Sequence, residues 1–236
     1  MAEPLVLLPG MLCDARVFGP QIAELSADLA VMAAPITQGE RIEEIASGLL
    51  DQLPARFALA GQGMGGVVAM ELLRRAPDRI TRMALMATDP LADTPASAAN
   101  REPLIVKARA GRWQDVLNDT LPPTALAPGP DRVAVLDLAM DMAQVLGPAV
   151  FVRQTRAMQR RRDQQAVLSK CAVPVLLICG AHDTLCPVKR HQTMADLIPD
   201  AMLKVLDDAG HLPSLEQPAA TTAALLDWMR RPFVLR

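Results

Sequence analysis

The sequence predicts an α/β domain, a mostly parallel sheet flanked by helices with an inserted helical cap. Three observations predict it. Short apolar runs alternate with amphipathic helical patterns, turn residues punctuate each switch, and one long stretch, 90–169, carries helical patterns alone. The first apolar run is Leu5 to Leu8, stopped by Pro9-Gly10, and a helix is expected from about Asp14. Residues 29–33 and 57–60 read as the next strands, followed by helices over 42–53 and 64–75. Further strands are expected at 83–87, 173–179 and 202–206, the last two each ahead of another helix. Such continuously apolar strands need both faces covered, which is the habit of a parallel sheet.

Residues 1–89 and 170–236 are assigned to the core and 90–169 to the cap. Pro90, Pro95, Pro122-Pro123, Pro128-Gly129-Pro130 and Gly147-Pro148 divide the cap into helical segments. Asp131 suits the N-cap of a helix through Leu146, and Pro148 suits the first turn of the next. That helix ends in Arg160-Arg161-Arg162, expected to be a solvated helix end, with capture of an anionic substrate as the rival reading.

Composition narrows the function classes. A chain of 236 residues suits one domain, and a net charge of −2 provides no broad basic field for nucleic acid. The opening Met1-Ala2-Glu3-Pro4 lacks a basic leader pattern, and no stretch reads as apolar over the roughly 18 residues a membrane span needs. A cytoplasmic protein with a small-molecule partner and no membrane association is expected; oligomeric state is not indicated. Cys13, Cys171, Cys179 and Cys186 lack C-x-x-C spacing, so neither disulfides nor a metal site is expected, nor is a cofactor.

The chemistry centres on Gly61-Gln62-Gly63-Met64-Gly65-Gly66, a glycine turn between a strand and a helix. Together with Leu8-Pro9-Gly10-Met11, Gly180-Ala181-His182-Asp183 and Ala209-Gly210-His211, it resembles the α/β-hydrolase superfamily, the serine esterase and lipase-like enzymes, over nearly the whole chain. The resemblance begins at that family's third strand and so implies a sheet trimmed at its N-terminus. It makes His211 the general base, Asp183 the carboxylate that orients it, and the Met11 and Met64 amides the oxyanion hole. Gly63 falls at the nucleophile position, where the family has serine, so an acyl-enzyme cannot form through this turn. The implied activity is hydrolysis of a small, largely apolar ester, thioester or lactone, silenced or altered by Gly63. Either a serine has been replaced, or function has been lost or rerouted so that Asp183 and His211 act on water or a substrate proton.

Two readings from other classes stand beside it. One is a non-catalytic small-molecule binder. The other takes Gly61, Gly63 and Gly66 as a dinucleotide fingerprint, with Asp89 on the ribose hydroxyls. Cys13 is a conceivable substitute nucleophile, Cys186 a weaker one, and His182 and His191 are expected at the surface. Met11, Met64, Met140 and Met142 suggest an adaptable apolar pocket, with core filling as the alternative.

Overall fold

In a computed structural model, which describes residues 3–231, six parallel strands form one sheet in the order β2-β1-β3-β4-β5-β6. Residues 1–2 and 232–236, assigned above to the core, lie outside the described residues. The strands are β1 (Leu5–Leu8), β2 (Val31–Ala33), β3 (Phe57–Gln62), β4 (Ile80–Met86), β5 (Val175–Gly180) and β6 (Ala201–Leu206). The core helices are α1 (Gly19–Leu25), α2 (Ile42–Leu50), α3 (Met64–Arg75), α8 (Val188–Leu197), α9 (Pro213–Glu216) and α10 (Pro218–Arg230). Between β4 and β5 run α4 (Pro95–Arg109), α5 (Trp113–Thr120), α6 (Arg132–Gln159) and the short α7 (Gln165–Leu168).

Strand alternation sorts the side chains into two cores. Val6, Leu8, Leu59, Met83, Leu85, Val175 and Leu177 face one way, toward residues of α2, α3 and α8. Leu5, Leu7, Ala58, Ala60, Ala84, Leu176 and Ile178 face the other, toward Phe18, Leu25, Leu225 and Trp228. Both faces are covered, which explains why β3 and β4 are buried at every position. A smaller cluster of Leu12, Ala108, Val116, Leu117, Ala143 and Phe151 joins the helices between β4 and β5 to the loop after β1.

Helix α6 departs from expectation twice. It is long and apolar enough to cross a membrane, contrary to the expectation that no stretch is, because its few charges are outweighed by Val, Leu, Met and Ala. It is not continuous, however: Gly147 sits at φ 75° and ψ 175°, breaking it into two helices at the expected place. Its buried residues, Val135, Ala139 and Phe151 among them, pack against protein. Asp131 stands at the N-cap but makes no side-chain capping bond.

Candidate active site

The chain leaves β1 toward β2 on one side and returns to β3 on the other, so the β1 and β3 ends form a topological switch point, where open α/β sheets hold ligands. Gly10 and Met11 follow β1 there, and Gly63 follows β3. Gly63 adopts φ 55° and ψ −120°, fixed by its N–H donating to the Met86 carbonyl at 2.9 Å and its carbonyl accepting from Thr88 Oγ1 at 2.7 Å. A Cβ at this position would lie 3.7 Å from His211 Nε2, 3.7 Å from Gly10 Cα and 4.0 Å from the Ala87 carbonyl oxygen. The turn thus has room for a side chain and aims it at the imidazole.

Asp183, after β5, and His211, after β6, come together across 28 residues of sequence. His211 Nδ1 lies 2.9 Å from Asp183 Oδ2, while Asp183 Oδ1 accepts from the amides of Leu185 and Cys186, both at 2.8 Å. Burial pushes the Asp183 carboxyl up, but the His211 ring and the two amides outweigh it and hold the group below its usual range. An ionised Asp183 places the ring proton on Nδ1 and leaves Nε2, which faces Gly63, as the basic nitrogen. The His211 loop is braced by Glu216, whose carboxylate accepts from the amides of Ala127, Gly210 and Leu212 at 2.7, 2.9 and 2.8 Å.

Met11 and Met64 both border the same cavity as Gly63 and His211, and neither amide donates to a protein acceptor among the described residues. The next residue, Leu12, is held at φ 57°, a left-handed conformation unusual for leucine, by its N–H donating to Gln154 Oε1 at 2.9 Å. Gln154, fully buried in α6, also donates through Nε2 to the Ile36 carbonyl at 3.2 Å. Sequence reasoning missed Gln154, whose polar character inside an apolar helix was the one available signal.

The cavity encloses about 320 Å³. Cys13 lines it, yet burial pushes its thiol up to about 12, so almost none is present as the nucleophilic thiolate. Burial raises Cys186 as well. Ligand atoms of Asp183, Cys186 and His211 lie within 4.8 Å of one another, but the Asp183 oxygens are taken by His211 and two amides and the thiol is protonated, a poor fit to a metal ion. Of the four methionines singled out, Met11 and Met64 line the cavity, whereas Met142 fills core and Met140 packs beside Leu117 and Phe151.

Two expectations need correction. His191 is not at the surface: it is fully buried on α8, where its Nε2 accepts from the Thr88 amide at 3.2 Å. Thr88 also holds Gly63, so His191 supports the turn from behind. His182 is exposed, as expected. Arg161 is not a solvated helix end; its side chain is only 10% exposed, lies 3.0 Å from Asp93 Oδ1, donates to the Leu91 carbonyl at 2.7 Å and borders the cavity. Its partners lie about seventy residues back, beyond any local pattern. Arg160 and Arg162 do remain largely exposed.

The fingerprint glycines have packing duties. A Cβ on Gly61 would meet the Gly65 carbonyl oxygen at 2.4 Å, and one on Gly66 would meet Thr88 Oγ1 at 2.6 Å, so both let helix α3 close against neighbouring backbone and side chains. Asp89 accepts from the Leu91 amide at 2.9 Å and lies 3.5 Å from Arg190.

A parallel sheet wrapped by helices, with a strand-to-helix elbow at its switch point, defines the α/β-hydrolase fold. Comparison with known proteins agrees and goes further. The chain belongs to the Hydrolase_4 family, described as serine aminopeptidase S33, whose model matches residues 16–218. It is 30% identical to a pimeloyl-[acyl-carrier protein] methyl ester esterase of Aromatoleum aromaticum, covering 96% of this chain and 98% of that one. Among solved structures it is similar to a thermophilic esterase from Thermogutta terrifontis, with a TM-score of 0.89 at 25% identity, covering 98% of this chain and 91% of that one. The enol-lactonase from Burkholderia xenovorans shares the fold at TM-score 0.85 and 24% identity, over 97% and 92% of the two chains. The protein is therefore of an ester-hydrolase lineage.

Proposed function

We propose that this chain carries an esterase-type site for a small, largely apolar ester, thioester or lactone, with Gly63 at the nucleophile position. His211 is the general base, Asp183 its orienting carboxylate, and the Met11 and Met64 amides the oxyanion donors. One observation carries the reading: the missing Gly63 side chain would start 3.7 Å from His211 Nε2, while the opposite ring nitrogen contacts Asp183 at 2.9 Å. In a serine-bearing relative of this geometry, the base takes the hydroxyl proton as oxygen attacks the carbonyl, and two amides meet the developing negative charge. Here the attacking oxygen is lacking, so the covalent route is closed and ligand binding remains. Gly63 itself favours the companion reading of a binder that has kept the pocket.

The test is Gly63→Ser assayed on short-chain aryl esters. Turnover should rise on the order of 10³-fold or more over the parent, and His211→Ala in the serine variant should abolish the gain. A serine-directed phosphonate should label the variant and leave the parent unlabelled. No gain in a folded variant would discard the hydrolase reading in favour of the binder.

A further inference from the structure

Two guanidinium groups on the cavity wall keep nitrogen atoms that no protein carboxylate or carbonyl occupies. Arg101, on α4, and Arg161, just past α6, both border the cavity that Gly63 and His211 border. They share a single buried carboxylate: Arg101 Nε donates to Asp93 Oδ2 at 2.7 Å and Arg161 lies 3.0 Å from Asp93 Oδ1. Two carboxylates also line the cavity: Asp89, which pairs with Arg190 and also acts on Arg161, and Asp119, which pairs with Lys107. Asp183 is spoken for by His211 and two amides. The two guanidinium groups thus share one carboxylate by direct contact.

The guanidinium edges are also short of acceptors. Arg161 Nη1 has only the Met158 thioether, a weak acceptor, at 3.7 Å, and the two Nη atoms of Arg101 have no hydrogen-bond partner among the described residues. The same cavity is lined by Thr155, 1% exposed, whose hydroxyl is without a partner among the described residues. Burial lowers the Arg161 pKa, against the opposing pull of Asp93 and Asp89. Helical spacing lines up Phe151, Thr155 and Met158 along one face of α6, leading to Arg161. This face thus leads toward guanidinium donors that protein oxygen atoms occupy only in part.

We propose that the cavity takes a carboxylate-bearing ester, the monoester of a small dicarboxylic acid, with its free carboxylate on Arg101, Arg161 and the Thr155 hydroxyl and its ester carbonyl at the Met11 and Met64 amides. A carboxylate supplies the acceptors these donors lack, and paired arginines suit its planar geometry. The assignment rests on the hydrolase reading for the placement of the ester, and names its substrate class; the carboxylate subsite stands on its own donors.

The test uses the parent chain, which lacks a nucleophile and so can be titrated without turnover. Calorimetry should show the monomethyl esters of succinate, glutarate or adipate binding roughly tenfold or more tighter than the matching dimethyl esters, with the preference shrinking as salt rises. Arg161→Gln should erase the preference. Should that variant fail to fold, because Asp93 loses a buried partner, Arg101→Gln, in a more exposed position, should reduce it alone. Equal binding of mono- and diesters, no saturable binding of any monoester in the millimolar range, or a preference untouched by Arg101→Gln would each overturn the subsite. Failure of the hydrolase reading looks different: Gly63→Ser would be inert toward neutral aryl esters while the parent still preferred monoesters.

Discussion

Replacing Gly63 with alanine or serine isolates the conformational cost of the elbow. At φ 55° and ψ −120° the backbone lies where residues with a Cβ are strained, and only glycine sits there freely. Steric exclusion contributes little, since the nearest atoms to a new Cβ are at 3.7 Å, ordinary contact distance. The strain is on the order of 1–3 kcal/mol, offset by about 0.4–1 kcal/mol because glycine gives the unfolded chain more freedom to lose. Gly63→Ala should therefore lose about 1–2 kcal/mol. At roughly 2–4 °C per kcal/mol for a domain of this size, the melting temperature should fall by about 2–8 °C. Gly63→Ser should lose less than alanine, because its hydroxyl starts within reach of His211 Nε2 and a hydrogen bond restores roughly 0.5–1.5 kcal/mol. Differential scanning calorimetry with urea titration reads all three proteins. An alanine variant as stable as the parent would show that the turn is not held in this conformation, and the aim of residue 63 at the imidazole would fall with it.

Two other outcomes follow from buried polar groups. Gln154→Leu removes the acceptor for the Leu12 amide and the donor to Ile36, so it should cost about 1–3 kcal/mol and, in the Gly63→Ser background, lower kcat more than it raises KM; unchanged kcat at reduced stability would confine Gln154 to a packing role. Glu71, on α3, is pushed up by burial but held at about 2 by Arg74, Arg75 and Gln164, against an ordinary 4.5. A carboxylate depressed in the folded state contributes stability that is full above its unfolded pKa and is lost as pH falls through the folded one. Urea midpoints should thus decline between about pH 4.5 and 2, with a smaller decline in Glu71→Gln; identical acid profiles would contradict the pairing.

Much of this fold is legible because strand and helix periodicity are local. Periodicity predicts a helix over 64–75, which is the span of α3, and a strand at Leu5–Leu8, which is β1. Strand edges moved by a residue or more where flanking residues such as Arg82 are polar yet buried, as in β4. The meeting of Asp183 and His211 near Gly63 was also readable, since each follows a strand end and parallel strands bring those ends to one rim. His191, Gln154 and Arg161 were not. Each is polar, each is buried only through packing between distant segments, and in the linear chain each looks like an ordinary helix residue. Local pattern reports what a segment prefers by itself; it is silent on which polar group finds a partner a hundred residues away, as Gln154 does at Leu12.

The Gln154 bridge has a mechanical consequence. One amide side chain fastens α6 to Leu12 and to Ile36, and Leu12 is the immediate neighbour of an amide proposed to receive charge. Displacing α6 would break both bonds and free the Leu12 backbone from the conformation they hold. Helix position and loop geometry are thereby tied through one side chain, so a substitution that shifts either should disturb the other.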